Sequence, residues 1–168
     1  LGGSDGNVAQ FAAMLPKAVQ QIVIGAISAD VTASPAEVGE KSLALIREVE
    51  VARKARLVDQ LITTAAKGGP AALGLANTLV SVDARRARHL VLDDSFAAPA
   101  VRCDNCGYVG VDPAEEAACP LCETTLRVLP DAADSLVRWA IEQDIDMTFV
   151  AGSAALQEAG AIGALLRY

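Results

Sequence analysis

The segment VRCDNCGYVGVDPAEEAACPLCETTLRV, residues 101–128, contains all four cysteines of this 168-residue chain. They form two Cys-x-x-Cys pairs, Cys103/Cys106 and Cys119/Cys122, with twelve residues between the pairs. A Cys-x-x-Cys turn brings two sulfurs to one ion while its backbone amides hydrogen-bond the thiolates, and two such turns complete a tetrahedral zinc site. Gly107 eases the tight turn after the first pair, and Pro120 stiffens the second. Four sulfurs around one zinc leave no open position for water or substrate, so the site this spacing predicts is structural. The spacing serves iron as well as zinc. Disulfides fit less well, because nothing else in the sequence suggests secretion. A redox pair would open a helix in a thioredoxin-like unit and would need no second copy.

The rest of the chain has room for one or two small cores without a metal. It is 52% apolar and only 4% aromatic, so those cores are built from Ala, Leu, Val and Ile. The longest apolar runs, QIVIGAISA and HLVLD, fall well short of the ~20 residues that span a membrane. The opening LGGSDGNVAQF has neither the basic start nor the apolar core of a secretion signal. It begins with Leu1 rather than Met, which reads as a segment of a longer protein. Charge divides the chain. Residues 1–67 carry seven Lys or Arg and seven Asp or Glu, whereas residues 68–168 carry seven Arg against fourteen acids. The whole net charge of −7 therefore lies in the second part, and four thiolates on one zinc would add about two more negative charges. Such a surface is a poor match for phosphate backbone and a better one for a basic protein partner.

Periodicity supplies the elements. Val8, Phe11, Ala12 and Leu15 have helical spacing, and AVQQIVIGAIS (residues 18–28) reads as a buried strand. Ser34 is the expected N-cap of a long helix, with Pro35 at its first position and Glu37 reaching back to close a capping box. Apolar residues from Val38 to Ala65 recur at three- and four-residue steps, and Gly68-Gly69-Pro70 should end the helix and form a hinge. A helix near 70–83, a strand at RHLVLD, a strand at TLRV, a helix from about Pro130 to Gln143 and a strand at DMTFVA follow. A short helix at 154–159 and the terminal IGALLRY complete the pattern. Strands alternating with helices predict a three-layer α/β/α sandwich.

Other residue clusters favour plain readings. His89, the sole histidine, reads as the entrance to a buried strand. Arg85, Arg86 and Arg88 lie near a helix end, where cations offset the macrodipole. Asp93-Asp94 at a strand end reads as a turn. Arg53, Lys54 and Arg56 read as the solvated face of the long helix. Gly2-Gly3-Ser4 precedes a helix start, an anion-friendly place, but without a phosphate-loop motif around it.

The stretches GGPAALGLANTLVSVDARRARHLVLDD, CDNCG and CPLC, and the closing GAIGALLRY resemble the last domain of the class-1 peptide chain release factor family of archaea and eukaryotes. The Gly-x-Ile-Gly-x-x-Leu-Arg-Tyr motif of that family falls on Gly160, Ile162, Gly163, Leu166, Arg167 and Tyr168. Residues 68–168 resemble that α/β domain, with an inserted zinc element at 101–128. Residues 1–67 resemble, less specifically, the C-terminal part of the family's α/β middle domain with its long connecting helix. The Ala- and Arg-rich composition looks like that of a bacterial relative. The resemblance implies a cytoplasmic translation factor acting in release, ribosome rescue or hibernation, whose last domain docks on a translational GTPase and the ribosome. It implies one structural zinc on Cys103, Cys106, Cys119 and Cys122, no other cofactor, and weak direct RNA binding. Release factors hydrolyse peptidyl-tRNA through a Gly-Gly-Gln loop. The chain has Gly2-Gly3-Ser4 instead, so no catalytic residue is assigned and no enzyme activity is expected of this segment. The alternative is a nucleic-acid-binding zinc ribbon that contacts RNA through Arg85, Arg86 and Arg88, against which the charge of residues 68–168 counts. An enzyme acting on a small metabolite has no catalytic constellation behind it.

Overall fold

A computed structural model of the chain describes residues 1–111 and 118–168; the part of the expected zinc element at 112–117 lies outside the described residues. The chain forms two compact units, Leu1–Lys54 and Ala55–Tyr168.

In Leu1–Lys54, β1 (Gly2–Gly3), α1 (Asp5–Met14), α2 (Lys17–Gln20) and β2 (Ile27–Ser28) precede the start of α3 (Pro35–Ala66). β1 and β2 pair in parallel. The capping box is present. The Ser34 N–H donates to Glu37 Oε2 at 2.8 Å, and the Glu37 N–H donates to Ser34 Oγ at 3.3 Å. The buried strand expected over 18–28 is not formed. Pro16 starts a helical turn, with its carbonyl accepting from Val19 and Gln20, and only Ile27–Ser28 is extended and paired. Ile22 and Ile24 are 75% and 56% exposed. A β-branched run becomes a buried strand only when neighbours cover it, and no residue of Leu1–Lys54 is fully buried.

Ala55–Tyr168 begins in the last turns of α3. It continues through β3 (Ala71–Leu73), α4 (Leu75–Asp83), β4 (Ala87–Asp93), β5 (Ala100–Arg102), β6 (Val109–Gly110) and β7 (Arg127–Leu129). α5 (Ala133–Gln143), β8 (Asp146–Val150), α6 (Ala154–Glu158) and β9 (Ile162–Leu166) complete it. The main sheet has the order β3-β9-β4-β8, with β4 and β8 parallel and β9 antiparallel to both its neighbours. Because side chains alternate along a strand, β4 serves two cores. Leu90 and Leu92 pack with Leu79 and Val82 of α4 and with Leu136 and Ala140 of α5. Val91 packs on the other face with Val58 and Leu61 of α3 and Leu156 of α6. The expected three-layer α/β/α sandwich is therefore formed. Each fully buried Leu, Ile or Val contributes about 1.5–3 kcal/mol, which makes these two clusters the main source of stability here.

β9 lies between β3 and β4, and all five of its residues are buried. Gly163 is needed there: a Cβ would stand 2.8 Å from the Ala72 carbonyl oxygen and 2.8 Å from Leu61 Cδ2. The helix expected to begin at residue 70 instead begins at Leu75, because Ala71–Leu73 pair with β9. Alanine's helix preference gives way to a strand position that β9 offers. At the end of α3 the Gly69 N–H donates to the Thr64 carbonyl and the Gly68 N–H to the Ala65 carbonyl, closing a Schellman turn. The strand expected at TLRV exists as Arg127–Leu129, but in a separate three-stranded sheet ordered β6-β5-β7.

Candidate metal centre

The three-stranded sheet positions the cysteines. β5 runs into the first pair, β6 leaves it, and β7 follows the second. The two turns are built alike at an offset of sixteen residues. The Cys103 N–H donates to the Tyr108 carbonyl (2.8 Å) and the Gly107 N–H to the Cys103 carbonyl (2.9 Å); the Cys119 N–H donates to the Thr124 carbonyl (2.8 Å) and the Glu123 N–H to the Cys119 carbonyl (2.9 Å). Gly107 has φ +79° and its counterpart Glu123 has φ +60°. The left-handed turn that glycine adopts freely is thus strained in the second copy, where Glu carries a Cβ.

All four Sγ atoms lie within 4.8 Å of one another. The shortest separations cross between the turns: Cys103 to Cys122 is 3.4 Å and Cys106 to Cys119 is 3.5 Å. Sulfurs about 2.3 Å from a central zinc stand roughly 3.8 Å apart in a tetrahedron, so the cluster fits one tetrahedral ion with small adjustments. Cys103 and Cys119 are buried, Cys122 is half-buried and Cys106 is exposed. The Leu121 N–H donates to Cys119 Sγ at 3.5 Å, and Thr124 Oγ1 lies 3.5 Å from Cys122 Sγ. Hydrogen bonds from the Thr124 hydroxyl, the Thr124 backbone and Asn105 pull the Cys122 thiol down to about 5. For Cys106 the Tyr108 N–H acts downward, but desolvation and the three neighbouring sulfurs together push it up to about 12. Four sulfurs this close to one another oppose holding negative charge together without a cation. A divalent ion removes that conflict by favouring thiolate on all four.

Outside the cluster, Arg127 grips Asp104 through Nε at 3.1 Å and Nη2 at 3.3 Å, tying β7 to the first turn. Both side chains are exposed, so the pair contributes about 0–1 kcal/mol. The sequence signal for Glu123 and Thr124 was the sixteen-residue offset itself, which aligns GYV after the first pair with ETT after the second.

The remaining candidates do not join this site. His89 Nε2 lies 2.8 Å from Thr148 Oγ1 across β4 and β8. Arg85 has φ +55° and ends α4 in a Schellman turn, with its N–H donating to the Val82 carbonyl and that of Arg86 to the Ser81 carbonyl. The Arg86 side chain does not cap α4. Its Nη2 donates to the Tyr168 main-chain oxygen at 3.0 Å, and its guanidinium lies 5.7 Å from the Tyr168 ring centre. Arg53 pairs with Glu50 on the exposed face of α3. Asp93 and Asp94 do form a turn, though Asp93 is buried. Its Oδ1 accepts from the Ser95 hydroxyl and N–H, and its Oδ2 accepts from Gln157 Nε2 at 3.4 Å. The Ser95 hydroxyl, then its N–H, hold the Asp93 carboxyl below the usual range against the opposing desolvation. A groove of about 260 Å³ lies between α4 and residues 108–111, and Asp83 is its only carboxylate among the described residues.

Two archaeal proteins show where this architecture occurs elsewhere. The C-terminal domain of peptide chain release factor from Methanosarcina mazei superposes with a TM-score of 0.55 at 23% identity, over 82% of this chain and 98% of that domain. The fold is that of a release-factor C-terminal domain. Pelota from Archaeoglobus fulgidus superposes with a TM-score of 0.54 at 18% identity, over 99% of this chain. The chain spans 48% of that protein's length. No protein-family model and no curated protein matches the sequence.

Proposed function

We propose that the chain is part of a translation factor of the release-factor and Pelota kind, acting in release, ribosome rescue or hibernation, and that residues 68–168 are its docking domain. The observation that carries this reading is the superposition on nearly the whole C-terminal domain of the Methanosarcina mazei release factor. The terminal motif supports it from a different side, since Gly163 sits where no side chain fits and the oxygen of Tyr168 is held by Arg86. On this reading the partners are a translational GTPase and the ribosome, and the place of action is the cytoplasm. No described helix is long and apolar enough to cross a membrane. Residues 1–67 are the end of a middle domain with its connecting helix, which suits the lack of any fully buried residue in Leu1–Lys54.

Cys103, Cys106, Cys119 and Cys122 hold one structural zinc, and the chain contributes no hydrolytic group. The sequence has no Gly-Gly-Gln, so peptide release by the segment alone should not exceed a buffer control. The zinc-ribbon alternative loses part of its basis, because the Arg86 guanidinium is engaged with Tyr168.

The test is to titrate the chain separately with elongation factor Tu in its GTP form and with a ribosomal RNA hairpin. Binding to the GTPase that weakens as salt screens exposed charge supports the docking role. Tight hairpin binding, lost on changing Arg85, Arg86 and Arg88 to Ala, overturns it.

A further inference from the structure

β8 is an edge of the main sheet, and its one partner strand among the described residues is β4. An edge presents main-chain N–H and C=O groups to any chain that can lie beside it, and proteins blunt such edges with charged side chains, lysine above all, with proline, with a bulge or with a covering element. The one charge within this edge strand is Asp146, which turns away a like-charged strand and accepts a basic one. Asp-Met-Thr-Phe-Val at 146–150 has no lysine and no proline, and it pairs with β4 over five consecutive residues without a register shift. The strand is therefore regular, and no other described strand pairs with its outer side.

Its side chains specify what could lie alongside. Met147 and Phe149 share the face of their β4 partners Leu90 and Leu92. Phe149 is nevertheless 46% exposed, a large apolar side chain with only part of its surface covered. Asp146 and Thr148 point to the opposite face. Exposed carboxylates stand at both ends of the edge: Asp144 and Asp146 where the strand begins, and Asp94, whose N–H donates to the Val150 carbonyl at 3.1 Å, where it finishes. None of the three is in an ion pair among the described residues.

We propose that β8 is a docking edge for an extended, basic segment of a partner protein. The segment adds alongside β8 with apolar side chains over Phe149 and cationic ones beside Asp144, Asp146 and Asp94. Main-chain hydrogen bonds provide the attraction in this mode of binding, and alternate side chains provide the selectivity. A second copy of this chain is disfavoured as the occupant, because pairing two β8 edges gathers acidic residues, and like charges set opposite one another destabilise a sheet. The inference concerns a peptide-binding edge and stands apart from the identity of any GTPase.

The experiment uses the isotope-labelled 168-residue chain with zinc added and two short capped peptides, one alternating lysine with valine and one alternating glutamate with valine. The lysine peptide should shift the amide resonances of Asp146–Val150 and slow their hydrogen exchange, while the glutamate peptide should not. The double variant D144K/D146K should weaken binding about tenfold at low salt. Phe149→Ser should weaken it without that salt dependence. Unchanged β9 resonances would show that both variants remain folded. Equal binding of the two peptides, shifts that map away from β8, or no shift at millimolar lysine peptide would each overturn the proposal. Self-association of the free chain through β8 would overturn it too, by making a second copy the occupant.

Discussion

The main sheet and the cysteine-bearing sheet belong to the same compact unit but are held together by different means. The main sheet is sandwiched between helices, and its strands place Leu90, Leu92, Ile162 and Val91 in two cores with almost no solvent contact. The cysteine-bearing sheet has short strands of two or three residues, and Val111, Leu121 and Val128 around it are exposed. Its enclosed groups include Ala100 and Val101 of β5 and the two sulfurs of Cys103 and Cys119, and Val109 of β6 packs against the main core. Beyond β5, apolar burial in this sheet is sparse, which is where a small region relies on a metal staple. On the proposed reading the sulfurs hold the two turns, and the main sheet should not depend on them.

Substituting one core leucine gives the largest expected effect. Leu90→Ala should destabilise the main sheet by about 2–5 kcal/mol, read as a lower urea midpoint, with the cysteine region lost in the same transition. A midpoint within error of the parent chain would show that the apolar core is not what holds this sheet. Cys103→Ser should do the reverse. Amide exchange should rise by about a hundredfold or more in 101–111 and 118–129, while β4, β8 and β9 keep their protection. Simultaneous loss of protection in both sheets would mean that the metal site is part of the main core.

Acid separates the two regions more gently. Asp93 has a depressed carboxyl, so its contribution is complete above its unfolded value of about 3.9 and disappears as pH falls through the lower, folded value. Protons compete for the sulfurs at any pH below the usual thiol value of about 8.5. On lowering the pH, metal should leave before the main sheet unfolds. Asp93→Asn should flatten the main sheet's loss of stability below about pH 4. The smallest effect is expected at Glu123, whose φ is +60°. Glu123→Gly should stabilise the second turn by up to about 1 kcal/mol, seen as slower metal loss to a chelator. Faster loss would mean that the Glu side chain contributes more than its backbone conformation costs.

The parts that could be read in the sequence are those set by local chemistry. Ser34, Pro35 and Glu37 announce α3 because a capping box is completed within four residues. The spacing of the cysteines announces their convergence because each turn is local and only the two turns must meet. What could not be read depends on distant partners. Ala71–Leu73 is a strand only because β9 lies beside it, and Arg127–Leu129 looks like a main-sheet strand until its pairing with β5 is known. Residues 18–28 have the composition of a buried strand, yet only Ile27–Ser28 is paired, because no covering layer meets Ile22 and Ile24. The buried role of Asp93 was hidden for the same reason, since Gln157 is sixty-four residues away.

On the proposed reading the four sulfurs hold one metal ion that organises the cysteine-bearing sheet. Native mass spectrometry of the reduced chain, before and after mild acid, with exchange measured on the same samples, decides this. One zinc per chain is expected, lost on acidification together with protection in 101–111 and 118–129. A metal-free mass for a chain with four reduced thiols and those segments still protected would contradict it.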